Sequence, residues 1–228
     1  MSVGVVVALK REAHLLGLQR VVMGKVVSVD GVVVCVSGMG AAHAERAAEA
    51  LIQQGANVLL SWGCTGGLAD DVSAGSLLIP ARVIGADGVE LVVDELWRNK
   101  LLQALQMPAD PRSVVESSAA VSSVKAKQQL AEISGAVAVD MESAAVLRVA
   151  QRHGIPGLVL RVVADTCHDT LPASLDGALS PLGEVYAWRL AASLLRHPAD
   201  IAALWTLKTR FDLAATTLRR TRGALGEL

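Results

Sequence analysis

Val3–Leu9 is an unbroken apolar run that ends abruptly at Lys10-Arg11-Glu12. Seven such residues without a basic stretch before them do not make a signal peptide. The run reads as a strand buried on both faces, which requires a sheet covered by helices on each side. Val58–Trp62 and Gly157–Val163 repeat the signature. Helical patterns lie between and after them: Ala41–Gln54, stopped by Gly55, then Leu96–Leu105, Val124–Ile133 and Ser143–His153. Asp30-Gly31 between Val26–Val29 and Val32–Val36 predicts a two-residue hairpin. Ser76–Ile84 reads as a strand interrupted by Pro80, and Ala136–Val139 as another strand. Met107–Ser123, rich in Pro and Ser, gives no pattern. Leu182–Leu195 and Ala199–Leu218 read as two closing helices. Strands alternating with helices, without linker or repeat, predict one α/β domain over residues 1–228 with a mixed, mostly parallel sheet.

Composition narrows the class further. The 228 residues are 52% hydrophobic, and a mean hydropathy of +0.45 excludes a disordered chain. Four Trp, one Tyr and one Phe are too few to build a stacking platform for single-stranded nucleic acid. The net charge of −1 gives no global field for phosphate backbones. That average hides an asymmetry. Residues 1–188 carry 14 Lys and Arg against 19 Asp and Glu, a net of −5; residues 189–228 carry 7 against 3, a net of +4. Cys35, Cys64 and Cys167 are odd in number and widely spaced, so reduced thiols in a cytoplasmic protein are expected rather than disulfides or a CxxC metal site. Residues 50–69 are free of charge but include Gln53, Gln54, Asn57 and four glycines, which rules out a membrane span.

Ligands of parallel sheets collect beyond the carboxyl ends of strands, and three such ends are informative. Ser37-Gly38-Met39-Gly40 opens onto a helix, so its N–H groups suit an anion or a sugar hydroxyl. It is no dinucleotide fingerprint, because His43 stands in the place of the third glycine. Gly63-Cys64-Thr65-Gly66-Gly67 has the spacing of a nucleophile elbow. That chemistry wants a well-separated acid and histidine downstream, whereas Asp165 and His168 lie three residues apart. A backbone cradle for phosphate or ribose is the better reading. The third end is a pair, Val139-Asp140-Met141-Glu142-Ser143 and Arg161-Val162-Val163-Ala164-Asp165-Thr166, which puts three carboxylates after apolar strands. Helix capping explains Asp140 or Ser143 but not Glu142 or Asp165. Cys167-His168 are sequence neighbours and rarely reach thiolate–imidazole geometry. His14 and His43 read as surface or packing residues on helices.

Taken in order, Val3–Glu12, Val36–Gly40, Ser61–Leu68, Ala138–Ala144 and Leu160–Asp165 resemble the nucleoside phosphorylase and nucleosidase superfamily. That superfamily contains purine nucleoside phosphorylase and methylthioadenosine/S-adenosylhomocysteine nucleosidase. Within it the chain is most similar to the hopanoid-associated phosphorylase branch, through Leu171-Pro172-Ala173, Leu194-Leu195-Arg196-His197-Pro198 and the basic helical tail. The resemblance implies a three-layer α/β/α sandwich that cleaves a purine N-glycosidic bond and releases adenine, with adenosylhopane as the expected substrate. Asp165 is then the acid that protonates the leaving base at N7. Glu142 grips the ribose 2′ and 3′ hydroxyls, with Met141 against the sugar and Asp140, Gly66 and Val121 completing the substrate site. Glu12 stands where the nucleosidases orient the attacking water. Ser37, Gly38, Gly40, Cys64 and Thr65 hold phosphate or water. No metal or other cofactor is expected, with phosphate as a candidate co-substrate, and further copies of the chain are expected partners.

Two departures matter. Phosphorylases of the superfamily commonly place an arginine before the second glycine stretch, where this chain has Leu60-Ser61-Trp62-Gly63. The nucleosidases stack the base on an aromatic residue within the stretch matching Glu116–Val124, which here has none. The alternative substrate within the superfamily is a soluble nucleoside of the methylthioadenosine type, and the alternative class is a non-catalytic nucleoside-binding module, which the presence of Asp165 and Glu142 disfavours. Arg189, Arg196, Lys208, Arg210, Arg219, Arg220 and Arg222 among apolar residues fit either a helix pair packed on the domain or, over residues 189–222, a contact with an anionic membrane surface where a lipid-linked nucleoside would lie.

Overall fold

A computed structural model describes residues 2–228 apart from 176, 177, 179, 181, 185, 195, 196, 198 and 199. The chain runs β1 (Val3–Val7), α1 (Lys10–Leu15), β2 (Val26–Val29), β3 (Val32–Val36), α2 (Ala41–Gln53) and β4 (Val58–Gly67). β5 (Leu77–Leu78), β6 (Arg82–Ile84), β7 (Glu90–Val92), α3 (Glu95–Leu105), β8 (Val114–Glu116) and α4 (Val124–Ser134) follow. β9 (Ala138–Asp140), α5 (Ser143–Arg152), β10 (Gly157–Asp165), α6 (Ala187–Leu194) and α7 (Asp200–Leu225) complete it. Local chemistry sets the ends. Asp30 and Gly31 both take positive φ, 46° and 84°, and turn the β2–β3 hairpin. Asp94 caps α3 by accepting from the Trp97 N–H (3.0 Å), and Ser123 caps α4 by accepting from Ala126 (3.2 Å).

β4 is the hub of the sheet. It lies parallel to β1 on one side and to β10 on the other, and its last residues, Gly66 and Gly67, pair antiparallel with β9. β9 carries the sheet on through β8 and β6 to β7. Side chains alternate between two cores. Val5, Val7, Val58 and Leu60 pack with Trp97, Ala214 and Leu218, whereas Val6 and Leu59 pack with Ala44, Leu51, Val146 and Val149. One face thus carries α3 and α7 and the other α2 and α5, the three-layer sandwich expected.

The structure redraws two elements. The second glycine stretch is no loop, because β4 runs through Gly67, with a register shift in β10 between Val163 and Asp165. The Pro- and Ser-rich segment contains β8, which is short and buried by neighbours far along the chain. The basic tail packs on the domain, as one of its two readings has it. Ala214, Ala215, Leu218, Thr221, Ala224 and Leu225 of α7 are buried, and Trp62 donates its indole N–H to Thr221 Oγ1 at 3.0 Å. Arg222 donates to Asp30 (2.7 Å), and Arg210 to Thr166 (2.7 Å). Leu195, Arg196 and Pro198 of the hopanoid-type stretch lie outside the described residues. Among those described, no helix is long and apolar enough to cross a membrane.

Candidate active site

Glu12 anchors the site. It lies in the first turn of α1, only 2% exposed, and accepts hydrogen bonds from the Leu9 N–H (2.9 Å) and, across the sheet, the Cys64 N–H (2.7 Å). Gly63 makes room for it, since a Cβ there would stand 2.7 Å from Glu12 Oε1. Burial raises the pKa of this carboxyl, while the two N–H donors and Arg161 pull it back.

Arg161 is the buried cation of the region. Its Nε donates to Asp140 (2.6 Å) and its Nη2 to Ser61 Oγ (2.6 Å). Asp140 also accepts from the Ser143 hydroxyl and from the N–H groups of Glu142 and Ser143, both at 3.1 Å. Asp140 is thus a brace between β10 and the start of α5, and its oxygens are occupied by the protein. These bonds brace the entry to α5, whose cap residue is Glu142. Glu142 accepts the Gly40 N–H at 2.7 Å. Burial first, and then the Asp140 charge, push its pKa up to about 7. Glu12, Glu142, Arg161 and Ser61, with Ala8, Gly63 and Cys64, enclose a cavity of about 10 Å³, close to the space one water molecule needs.

Asp165 closes β10 and pairs in register with Gly66, at the far end of the same β4 segment. Its side chain keeps 15% exposure, while Lys127 of α4 is fully buried and donates to Asp165 Oδ2. Burial raises the Asp165 pKa, with Lys127 and then Arg210 working against it. Lys127 and Arg161 were assigned no role from sequence. Lys125 and Lys127 look alike there, and only packing makes one exposed and the other buried.

The phosphate-binding expectation fares unevenly. Cys64 gives its N–H to Glu12, and the buried Thr65 hydroxyl donates to Val139 O (2.7 Å), so the second glycine stretch is not a cradle of free amides. At the first turn the Ser37 hydroxyl is within 2.7 Å of Gly38 O, and the Gly40 N–H is taken by Glu142. Gly38 and Gly40 both have positive φ, 83° and 96°. Met141 and Val121 are half-buried, Val121 against the apolar cluster of Leu68, Val115, Ala136 and Val139. Cys167 and His168 do not pair with each other. Both meet Asp70, whose Oδ1 lies 3.2 Å from Cys167 Sγ and 3.3 Å from His168 Nε2.

Residues 8–180 match the family model of the phosphorylase superfamily. The chain belongs to that superfamily. Two curated relatives, the 5′-methylthioadenosine/S-adenosylhomocysteine nucleosidases of Shewanella halifaxensis and Shewanella pealeana, are each 26% identical over 189 residues, covering 72% of this chain and 80% of theirs. Among solved structures, the same kind of nucleosidase from Neisseria meningitidis, in complex with methylthio-immucillin-A, superposes with a TM-score of 0.72 at 17% identity, covering 100% of this chain and 99% of that one. Futalosine hydrolase of Helicobacter pylori gives 0.71 at 18% identity, covering 100% and 98%. These likenesses confirm the phosphorylase-superfamily fold.

Proposed function

We propose that this chain is a hydrolase that removes adenine from a purine nucleoside, with adenosylhopane as its substrate. The observation that carries the hydrolytic reading is the water-sized cavity walled by Glu12, Arg161 and Ser61. A water held there loses a proton to Glu12 as it attacks the anomeric carbon. Asp165 gives a proton to N7 of the departing base, and Glu142 holds the ribose hydroxyls through a charge-assisted pair that steadies the developing oxocarbenium ion. Met141, Gly66 and Val121 line the sugar and base. Phosphate has weaker support, because Arg161 is already paired with Asp140 and Ser61. The names of the curated relatives favour methylthioadenosine as the alternative substrate. The case for a lipid-linked nucleoside is the resemblance together with the exposed apolar Ile201 and Trp205 on α7, near a Lys208 that is paired with Asp212.

Release of adenine from adenosylhopane and methylthioadenosine separates the two substrates; release from neither overturns the enzyme reading and leaves a binding module. Asp165→Asn is expected to cut turnover by about 10²–10⁴-fold while nucleoside binding, measured by calorimetry, persists. Undiminished turnover removes Asp165 from its role.

A further inference from the structure

The Lys127 ammonium has three N–H groups, and each has an acceptor in one short turn. It donates to Asp165 Oδ2, to Thr166 O (2.7 Å) and to Asp169 O (3.1 Å). A lysine carried on a helix, fully buried and satisfied by one carboxylate and two carbonyls, is a built arrangement rather than a solvated charge. The turn it holds is fixed from the other side as well. Asp169 Oδ2 accepts from the Thr166 N–H (2.7 Å) and hydroxyl (2.8 Å), and it pairs with Arg210 of α7.

We propose that Lys127 is a positioning residue for the leaving-group acid. It pins Oδ2 of Asp165 so that the proton is carried on Oδ1, and it stabilises the carboxylate left behind when that proton passes to the base. The proposal rests on the reading of Asp165 as the acid. The bonds balance: the Asp165 O–H breaks, N7–H forms as the glycosidic bond breaks, and the resulting carboxylate stays paired with Lys127. The charge therefore acts in two directions. It makes Asp165 a stronger acid, and it lowers the pH above which Asp165 has lost its proton. The other groups around Asp165 are Arg210 from α7, Asp169 and Cys167 from its own turn, and Cys64 on β4. Among the described residues, Lys127 is the one of these groups whose side chain is bonded to its carboxylate.

The test compares Lys127→Gln, which keeps a hydrogen-bond donor without the charge, with Lys127→Arg, which keeps the charge. The two substrates are whichever of adenosylhopane and methylthioadenosine the wild type turns over, and 4-nitrophenyl riboside, whose leaving group departs without a proton. For Lys127→Gln, kcat on that purine nucleoside falls about 10–100-fold, and the alkaline limb of its pH profile moves up by about one unit or more. The loss on 4-nitrophenyl riboside is at least about tenfold smaller. Lys127→Arg leaves the limb in place. An unmoved limb in Lys127→Gln, or equal losses on both substrates, overturns the proposal and makes Lys127 a purely structural tie. Should the Gln variant not fold, the Lys127 Nζ resonance of the wild type decides. It is expected to shift as Asp165 titrates and to lose that shift in Asp165→Asn; a resonance indifferent to Asp165 overturns the proposal. Asp165→Asn reports separately on the acid itself: a fully active Asp165→Asn sinks the underlying reading, whereas an inactive one with an unmoved Lys127→Gln limb sinks this proposal alone.

Discussion

Gly63 and Glu12 constrain each other. The carboxylate is held by two backbone N–H groups and lies where any side chain at residue 63 would begin. Gly63→Ala is therefore expected to displace Glu12 and lower kcat by about 10²-fold or more, while circular dichroism shows the fold intact. Glu142 makes a second prediction at this scale. Its pKa is raised in the folded protein to about 7, so the native state binds more protons than the unfolded state between pH 4.5 and 7. Stability falls as pH rises through that window, and Glu142→Gln should flatten this part of the curve of denaturation midpoint against pH. The sugar-gripping carboxylate form dominates only above pH 7, so KM should rise as pH drops below it. Glu142 and Asp165 stood out because helix capping does not explain a carboxylate following an apolar strand there, whereas Glu12 was marked by the family resemblance alone. Lys127 was not, since its burial depends on β10 and the following turn, which lie about forty residues downstream.

At the scale of elements, the buried strands and the hairpin were readable from apolar runs and turn dipeptides, which are local signals. The second glycine stretch misled for a physical reason. Glycines there do not make a turn; they let Glu12 and Asp165 lie against a continuing strand. Residue by residue, the sequence shows permissiveness but not which neighbour uses it. The α7–β4 contact is a comparable long-range feature. Thr221→Val leaves the Trp62 indole N–H unpaired in the core and should cost about 1–3 kcal/mol in chemical denaturation. An unchanged midpoint would mean that this bond contributes nothing.

For the molecule as a whole, the acidic body and basic tail are one object. Arg210 and Arg222 pair with Asp169 and Asp30, so part of the tail's positive charge ties α7 to the sheet. Removing residues after His197 would strip buried core residues and unfold the protein, so it cannot test membrane contact. Trp205→Ala removes an exposed side chain instead, and should weaken sedimentation with anionic vesicles without changing stability. The choice between water and phosphate as nucleophile is tested most directly by turnover of adenosylhopane or methylthioadenosine in ¹⁸O-water, with and without inorganic phosphate. Hydrolysis at the Glu12 cavity predicts adenine release at the same rate in both and a sugar carrying solvent ¹⁸O at its anomeric carbon. Release only with phosphate, yielding a sugar 1-phosphate, would contradict it.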